Sequence, residues 1–197
     1  LEHDSEPVAE QLHALNDLVV AGKIRHIGLS NETPWGVSEF VCCAEQLGIP
    51  KIVSVQNAYH LMNRSFESGL AEVCHHANVG LLAYSPLAFG HLTGKYLADP
   101  AAPGRITLFP GFGQRYNKPN VPAASREYVR IAQQAGLNPA QMALAYARTR
   151  WFTASVILGA TTLSQLQENL DSSELMLSAD VIGQIEAVHK LYPNPAP

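Results

Sequence analysis

Cysteine is scarce in this chain: Cys42, Cys43 and Cys74 are the whole complement in 197 residues. An odd number, with two of them adjacent inside a helical pattern, argues against a disulfide framework and suits a reducing cytoplasm. There is no Cys-x-x-Cys. The histidines supply no ligand pattern either: His75 and His76 are neighbours on a predicted helix, the wrong spacing for one ion, and His3, His13, His26, His60, His91 and His189 are scattered, so no metal site is expected. Charged residues make up only 15% of the chain and the net charge is −4, which favours neither nucleic acid nor an anionic membrane surface. No apolar run reaches the length of a membrane span, and no signal-peptide pattern is present. Fixed-length repeats, low-complexity tracts and domain linkers are also missing. With 47% apolar residues, residues 1–197 read as a single α/β domain with a sizeable core. The first residue is Leu1 rather than Met, and the expectation is that processing, tagging or truncation set this beginning.

What is present is an alternation of helical and strand patterns. Asp4 or Ser5 is the expected cap of a first helix with Pro7 in its first turn and Val8, Leu12, Leu15 and Val19 on one face. Ile24 to Leu29 reads as a strand. Thr33 and Pro34 open a second helix that Gly48 closes. Ile52 to Val55 is the second strand, a third helix is expected from about Phe66 to Ala77, and Val79 to Ala83 is the third strand. A Gly- and Pro-rich loop without secondary structure of its own is expected from Ala88 to about Pro122, and loops of that length are usually functional or disordered. Helices follow from Ala123 to Ala135 and after the Asn138-Pro139 cap. Ser155 to Leu158 is the fourth strand, Leu163 to Leu170 a further helix, and Ser178 caps the last helix, which runs to about Leu191. Such an order builds parallel β-α units with right-handed crossovers, so that all strands end on one face. Four strands make an open sheet or half of an eight-stranded barrel.

Every strand ends in polar or aromatic residues, and in parallel α/β folds ligands gather there. Ser30-Asn31 follows the first strand, Gln56-Asn57 the second, Tyr84-Ser85-Pro86-Leu87-Ala88-Phe89-Gly90 the third and Gly159-Ala160-Thr161 the fourth. A ring at such a position can stack on a planar cofactor, and amide and hydroxyl groups supply both donors and acceptors. Taken singly, Asn31 could cap a turn and Gln56 could satisfy backbone groups. Taken as a set at successive strand ends, they form a site.

Gly28-Leu29-Ser30-Asn31, Val55-Gln56-Asn57, Tyr84-Ser85-Pro86-Leu87 and Leu158-Gly159-Ala160-Thr161, with Gln165, Glu168 and Asn169, resemble the aldo-keto reductase superfamily, and within it the bacterial general members and the related potassium-channel β subunits. The resemblance runs in order along essentially the whole chain. It implies the C-terminal part of a (β/α)8 TIM barrel with a nicotinamide cofactor at its carboxyl face. By that resemblance Ser30, Asn31 and Gln56 hold the nicotinamide carboxamide and Tyr84 stacks on the ring. Ser85, Pro86, Leu87 and Phe89 line the pyrophosphate path. Lys95 and Arg105, on the long loop, meet the phosphates or remain solvated loop charge. Gly159, Thr161, Gln165, Glu168 and Asn169 hold the adenosine end, where backbone N–H groups at a helix start attract an anion. The cofactor implied is NADP, with NAD as the alternative, because this last segment lacks the Lys or Arg that many members place around a 2′-phosphate.

The family's Asp, Tyr, Lys and His quartet belongs to the first half of the barrel, in segments that residues 1–197 do not match. No catalytic residue is therefore expected among them, and Tyr84 is not read as the proton donor. The function implied is reduction of a small aldehyde or ketone to an alcohol. The alternative is a non-catalytic nucleotide-binding regulatory module. Half a barrel leaves its first and last strands without neighbours, so the partner expected at these edges is an N-terminal barrel half or a second copy of the chain. Neither nucleic acid nor membrane is an expected partner.

Overall fold

The computed structural model describes residues 7–109 and 111–197; the expected caps Asp4 and Ser5 lie outside them. Helix α1 (Val8–Val20) leads into strand β1 (Gly28–Ser30), then α2 (Pro34–Leu47), β2 (Ser54–Ala58), α3 (Leu70–Ala77) and β3 (Gly80–Tyr84). Two one-turn helices, α4 (Lys95–Ala98) and α5 (Arg105–Leu108), lie between β3 and α6 (Val121–Gln134). The chain continues through α7 (Pro139–Arg148), β4 (Thr153–Val156), α8 (Leu163–Asp171) and α9 (Ala179–Leu191).

Local chemistry sets these boundaries. The Thr33 hydroxyl accepts from Gly36 N (3.1 Å) at the start of α2, Asn138 Oδ1 accepts from Ala140 N (2.8 Å) at the start of α7, and the Ser178 hydroxyl accepts from Val181 N at the start of α9; each satisfies a backbone donor that a helix start leaves free. Gly48 closes α2 in the left-handed region (φ 66°), where glycine carries no Cβ penalty.

The strands form one parallel sheet in the order β1-β2-β3-β4, with Gly28 opposite Ser54, Ser30 opposite Gln56, and Ala58 opposite Tyr84. Parallel pairing in chain order is what the alternation of elements requires. Leu12, Val37, Ile52, Val55, Leu81 and Ala83 belong to the core between the sheet and its helices. Gln56, Ala58, Leu82 and Tyr84 are half-buried on the opposite face of the sheet, and Ser30 is exposed there, as the two-residue period of a strand dictates. That face is open because no described element packs across it.

Several boundaries differ from those expected. The first strand is three residues long instead of spanning Ile24–Leu29. Ile24 N instead donates to Leu18 O at the end of α1, and Ile27 O accepts from Val53 N (2.9 Å), the residue just before β2. The fourth strand starts two residues early, at Thr153, opposite Leu81. The helix expected from Phe66 is split: Ser65–Glu67 is a 3₁₀ turn, and Gly69 at φ 82° separates it from α3. The long segment after β3 is not a structureless loop. It contains α4, α5 and the 3₁₀ turns Ala88–Thr93 and Gln114–Asn117, and its aromatic residues pack on one another.

Candidate functional site at the strand ends

The turn after β1 is tied down residue by residue. Asn31 adopts a left-handed backbone (φ 54°), a conformation that asparagine tolerates better than most residues. Its N–H donates to Gln56 O (2.9 Å), and its side-chain Oδ1 accepts from the Tyr84 hydroxyl (2.7 Å). Asn31 Nδ2 lies 3.4 Å from Ser30 Oγ. The chain thus brings Ser30, Asn31, Gln56 and Tyr84 together across three neighbouring strands. Register places Ser30 beside Gln56 and Tyr84 one pleat further on, all on the open face. The Tyr84 ring is fixed through its hydroxyl while staying half exposed, which is the geometry a stacking platform needs.

Past Tyr84 the backbone turns sharply. Ser85, Ala88 and Phe89 all have positive φ (53°, 49° and 54°), and Ala88 N donates to Ser85 O (2.8 Å). Pro86 is buried and Leu87 packs against the core. Phe89 stacks on Phe112 (centroids 5.3 Å, 7° between planes), and the Arg105 guanidinium lies 5.3 Å from the Phe89 ring centre. Lys95 donates from Nζ to Pro103 O (2.9 Å) and sits over the Tyr96 ring. Both loop cations are therefore held by their own segment in this structure. Arg105 lies over Phe89 and Lys95 beside Gly90, in the segment that follows β3.

At the fourth strand end, Thr161 N and Oγ1 both donate to Gln165 Oε1 (2.9 and 3.0 Å), and Thr162 caps α8. Gln165 thus faces Thr161 across one helical turn, as its spacing suggests. Asn169 is only 5% exposed, and its Nδ2 donates to Gly159 O (3.3 Å). It stabilises the Gly159 turn from beneath. The Glu168 carbonyl accepts from Gln141 Nε2 (3.0 Å), which joins α8 to α7.

Three polar groups have roles that the sequence did not reveal. Asn57 bridges to the Glu32 backbone. His60 is fully buried: its Nδ1 accepts from Met62 N (3.2 Å), so the proton is on Nε2, which lies 3.3 Å from the Tyr116 hydroxyl. Burial, with the nearby Arg115 and His91 charges, lowers its pKa to about 3. Arg64, 7% exposed, pairs with Glu67 (2.8 Å) and with Glu186 on α9 (2.9 Å). In sequence Arg64 is the middle of a polar turn, Asn63-Arg64-Ser65, which says nothing of partners so far along the chain.

These features define a parallel α/β chain with polar and aromatic side chains gathered at the carboxyl ends of its strands. Residues 3–190 match the Aldo/keto reductase family, and the chain belongs to that family. It is 52% identical over 199 aligned positions to Protein tas of Escherichia coli strain K12, covering 98% of this chain and 57% of that protein. It is 42% identical to an aldo-keto reductase of Babesia bovis, covering 88% of this chain and 63% of the relative. To the L-glyceraldehyde 3-phosphate reductase of Escherichia coli strain K12 it is 31% identical, covering 93% and 54%. The chain spans little more than half the length of these relatives. Among the described residues, no helix is long and apolar enough to cross a membrane, and no group of three or more His, Cys, Asp or Glu side chains could hold a metal ion.

Proposed function

We propose that this chain is the nicotinamide-nucleotide-binding part of a (β/α)8 barrel in a cytoplasmic reductase of small aldehydes and ketones. The observation that carries the reading is the set formed by Ser30, Asn31, Gln56 and Tyr84, which shares the open face of the sheet with the phenol hydrogen-bonded to Asn31. The residues fit such a cofactor on their own chemistry. An amide, a hydroxyl and a second amide offer the donors and acceptors that a carboxamide takes, and the pinned ring offers it a flat surface. Ser85 and the turn to Phe89 would follow the pyrophosphate, with Gly159, Thr161 and Gln165 at the adenosine end. NADP is the proposed cofactor, and Lys95 and Arg105 would have to leave their present contacts to reach a phosphate.

When bound, the nicotinamide ring supplies a hydride to a carbonyl carbon. Ser30, Asn31 and Gln56 would hold the carboxamide and Tyr84 would support the ring, and orientation of this kind is a large part of catalysis. Tyr84 donates its hydroxyl proton to Asn31, which suits a positioning role and not proton transfer to substrate. Proton donation is assigned to the barrel half that these residues do not include, and β1 and β4 are proposed to pair with its strands.

The test is a fluorescence titration of a protein of the relatives' full length with NADPH and with NADH, followed by an absorbance assay with a reactive aldehyde. Saturable binding that favours NADPH, with aldehyde-dependent oxidation, is the expected result. An absence of binding to either nucleotide would overturn the reading.

A further inference from the structure

The turn that presents Ser30 and Asn31 is held from the far side of the sheet by Asn57. Asn57 Oδ1 accepts from Glu32 N (3.1 Å), and Asn57 Nδ2 donates to Glu32 O (3.0 Å). One side-chain amide thus occupies both backbone polar groups of the residue that follows Asn31. Strand alternation puts Asn57 on the same face as Val55, the buried helix-side face, while Gln56 and Ala58 point to the open face. β1 ends at Ser30, opposite Gln56, so Asn57 is the first residue of β2 with no β1 residue beside it. Its amide stands in for the missing strand and closes the turn like one more rung of the ladder.

We propose that Asn57 is a positioning residue for the nicotinamide end of the site. The inference rests on the function proposed above and goes beyond it in assigning a role to a residue on the opposite face from the ligand. Asn31 must keep a left-handed backbone for its side chain to meet the Tyr84 hydroxyl, and that conformation is disfavoured for a residue with a Cβ. Three ties join the turn to the neighbouring strands: Asn31 N to Gln56 O, Tyr84 to Asn31 Oδ1, and the Asn57 amide on Glu32. The first two engage Asn31 itself. The third ties the outgoing chain to the sheet, and that chain continues directly into the Thr33 cap of α2, where the Glu32 carboxylate also accepts from Thr33 N (2.8 Å). Without the Asn57 amide, the residue after Asn31 has two backbone groups to satisfy elsewhere, and the turn can relax toward commoner backbone angles.

The experiment compares Asn57→Ala and the isosteric Asn57→Asp with the unsubstituted protein, all at the relatives' full length. Two probes are titrated: NADPH, and adenosine 2′,5′-bisphosphate, which carries only the adenosine end. Amide hydrogen exchange is followed at Asn31 and Glu32. For N57A, NADPH affinity should fall by roughly 5- to 10-fold, the scale of one or two hydrogen bonds, with unchanged bisphosphate affinity and faster exchange at both amides. N57D, which keeps the acceptor for Glu32 N and loses the donor to Glu32 O, should show a partial loss confined to NADPH. Equal losses for both probes would mean a general structural role and overturn the proposal. Unchanged NADPH affinity in both variants would overturn it as well. An unsubstituted protein that binds the bisphosphate as tightly as NADPH would overturn the nicotinamide reading itself, and the role of Asn57 with it.

Discussion

Tyr84 makes two separable contributions, and two substitutions divide them. Tyr84→Ala removes the ring and should weaken NADPH binding by about 1 kcal/mol, the usual value of an aromatic contact; Tyr84→Phe keeps the ring, loses the bond to Asn31, and should cost less. Both are read by fluorescence titration, and equal losses would show that the hydrogen bond alone matters. His60 gives a second prediction, in pH. Its folded pKa is depressed to about 3 from 6.5, so between these values the unfolded chain binds the proton and the folded chain does not. Stability should therefore fall as the pH drops below 6.5. Urea midpoints at pH 7 and pH 5 measure the loss, and His60→Gln should flatten the difference. The strand-end residues were legible in sequence because a two-residue period and a polar stop locate them without knowledge of partners. Asn57 was visible as one of them, but its role was not. Whether it faces ligand or backbone depends on β1 stopping at Ser30, opposite Gln56, a matter of pairing that the sequence pattern does not carry.

The clearest test among the elements is the attachment of α9. Arg64 sits before α3 yet bonds to Glu186 through both carboxylate oxygens (3.0 and 2.9 Å), and Tyr146 on α7 donates to the same carboxylate (3.1 Å). The Arg64 backbone N–H donates to Asn194 Oδ1 (2.6 Å), and Ala196 N donates to Met62 O (3.0 Å). Arg64→Ala strands two carboxylates and should cost about 3 kcal/mol, the lower end for a buried pair, because Glu67 and Glu186 are 30% and 34% exposed. A shift of the urea midpoint with unchanged slope would show it. Burial raises the Glu67 pKa, but hydrogen bonds from Arg64 and Tyr59 outweigh it and hold the carboxyl below its ordinary 4.5. This contribution is present above the unfolded value and lost as pH falls through the folded one, so the clasp weakens only in acid. The segment after β3 shows the limit of pattern reading. Its one-turn helices are shorter than a hydrophobic period can reveal, and its order comes from contacts such as Phe89 on Phe112 and Tyr116 on His91 (centroids 5.1 Å).

On the scale of the molecule, the parallel order of the four strands followed from the alternation of helix and strand, while the open face and both edge strands follow from there being no other strand among the described residues. We expect the 197-residue chain alone to show no NADPH-dependent aldehyde reduction in an absorbance assay, and a protein of the relatives' length to show it. A positioned proton donor contributes about 10²–10⁴-fold, and none is assigned to these residues. Comparable turnover by the isolated chain would place the donor within them.

Strand order equal to chain order also bears on how the molecule comes into being on the ribosome. β2 and β3 each find their neighbour among residues just synthesised, so these β-α units can dock on the one before as they emerge, whereas β4 must first close residues 85–152 onto β3. Arg64 waits longer still. Its first carboxylate, Glu67, is made three residues later, but its second, Glu186, follows 122 residues afterwards. Until then the growing chain carries a half-paired arginine, and α9 completes the charge balance of a turn made before α3.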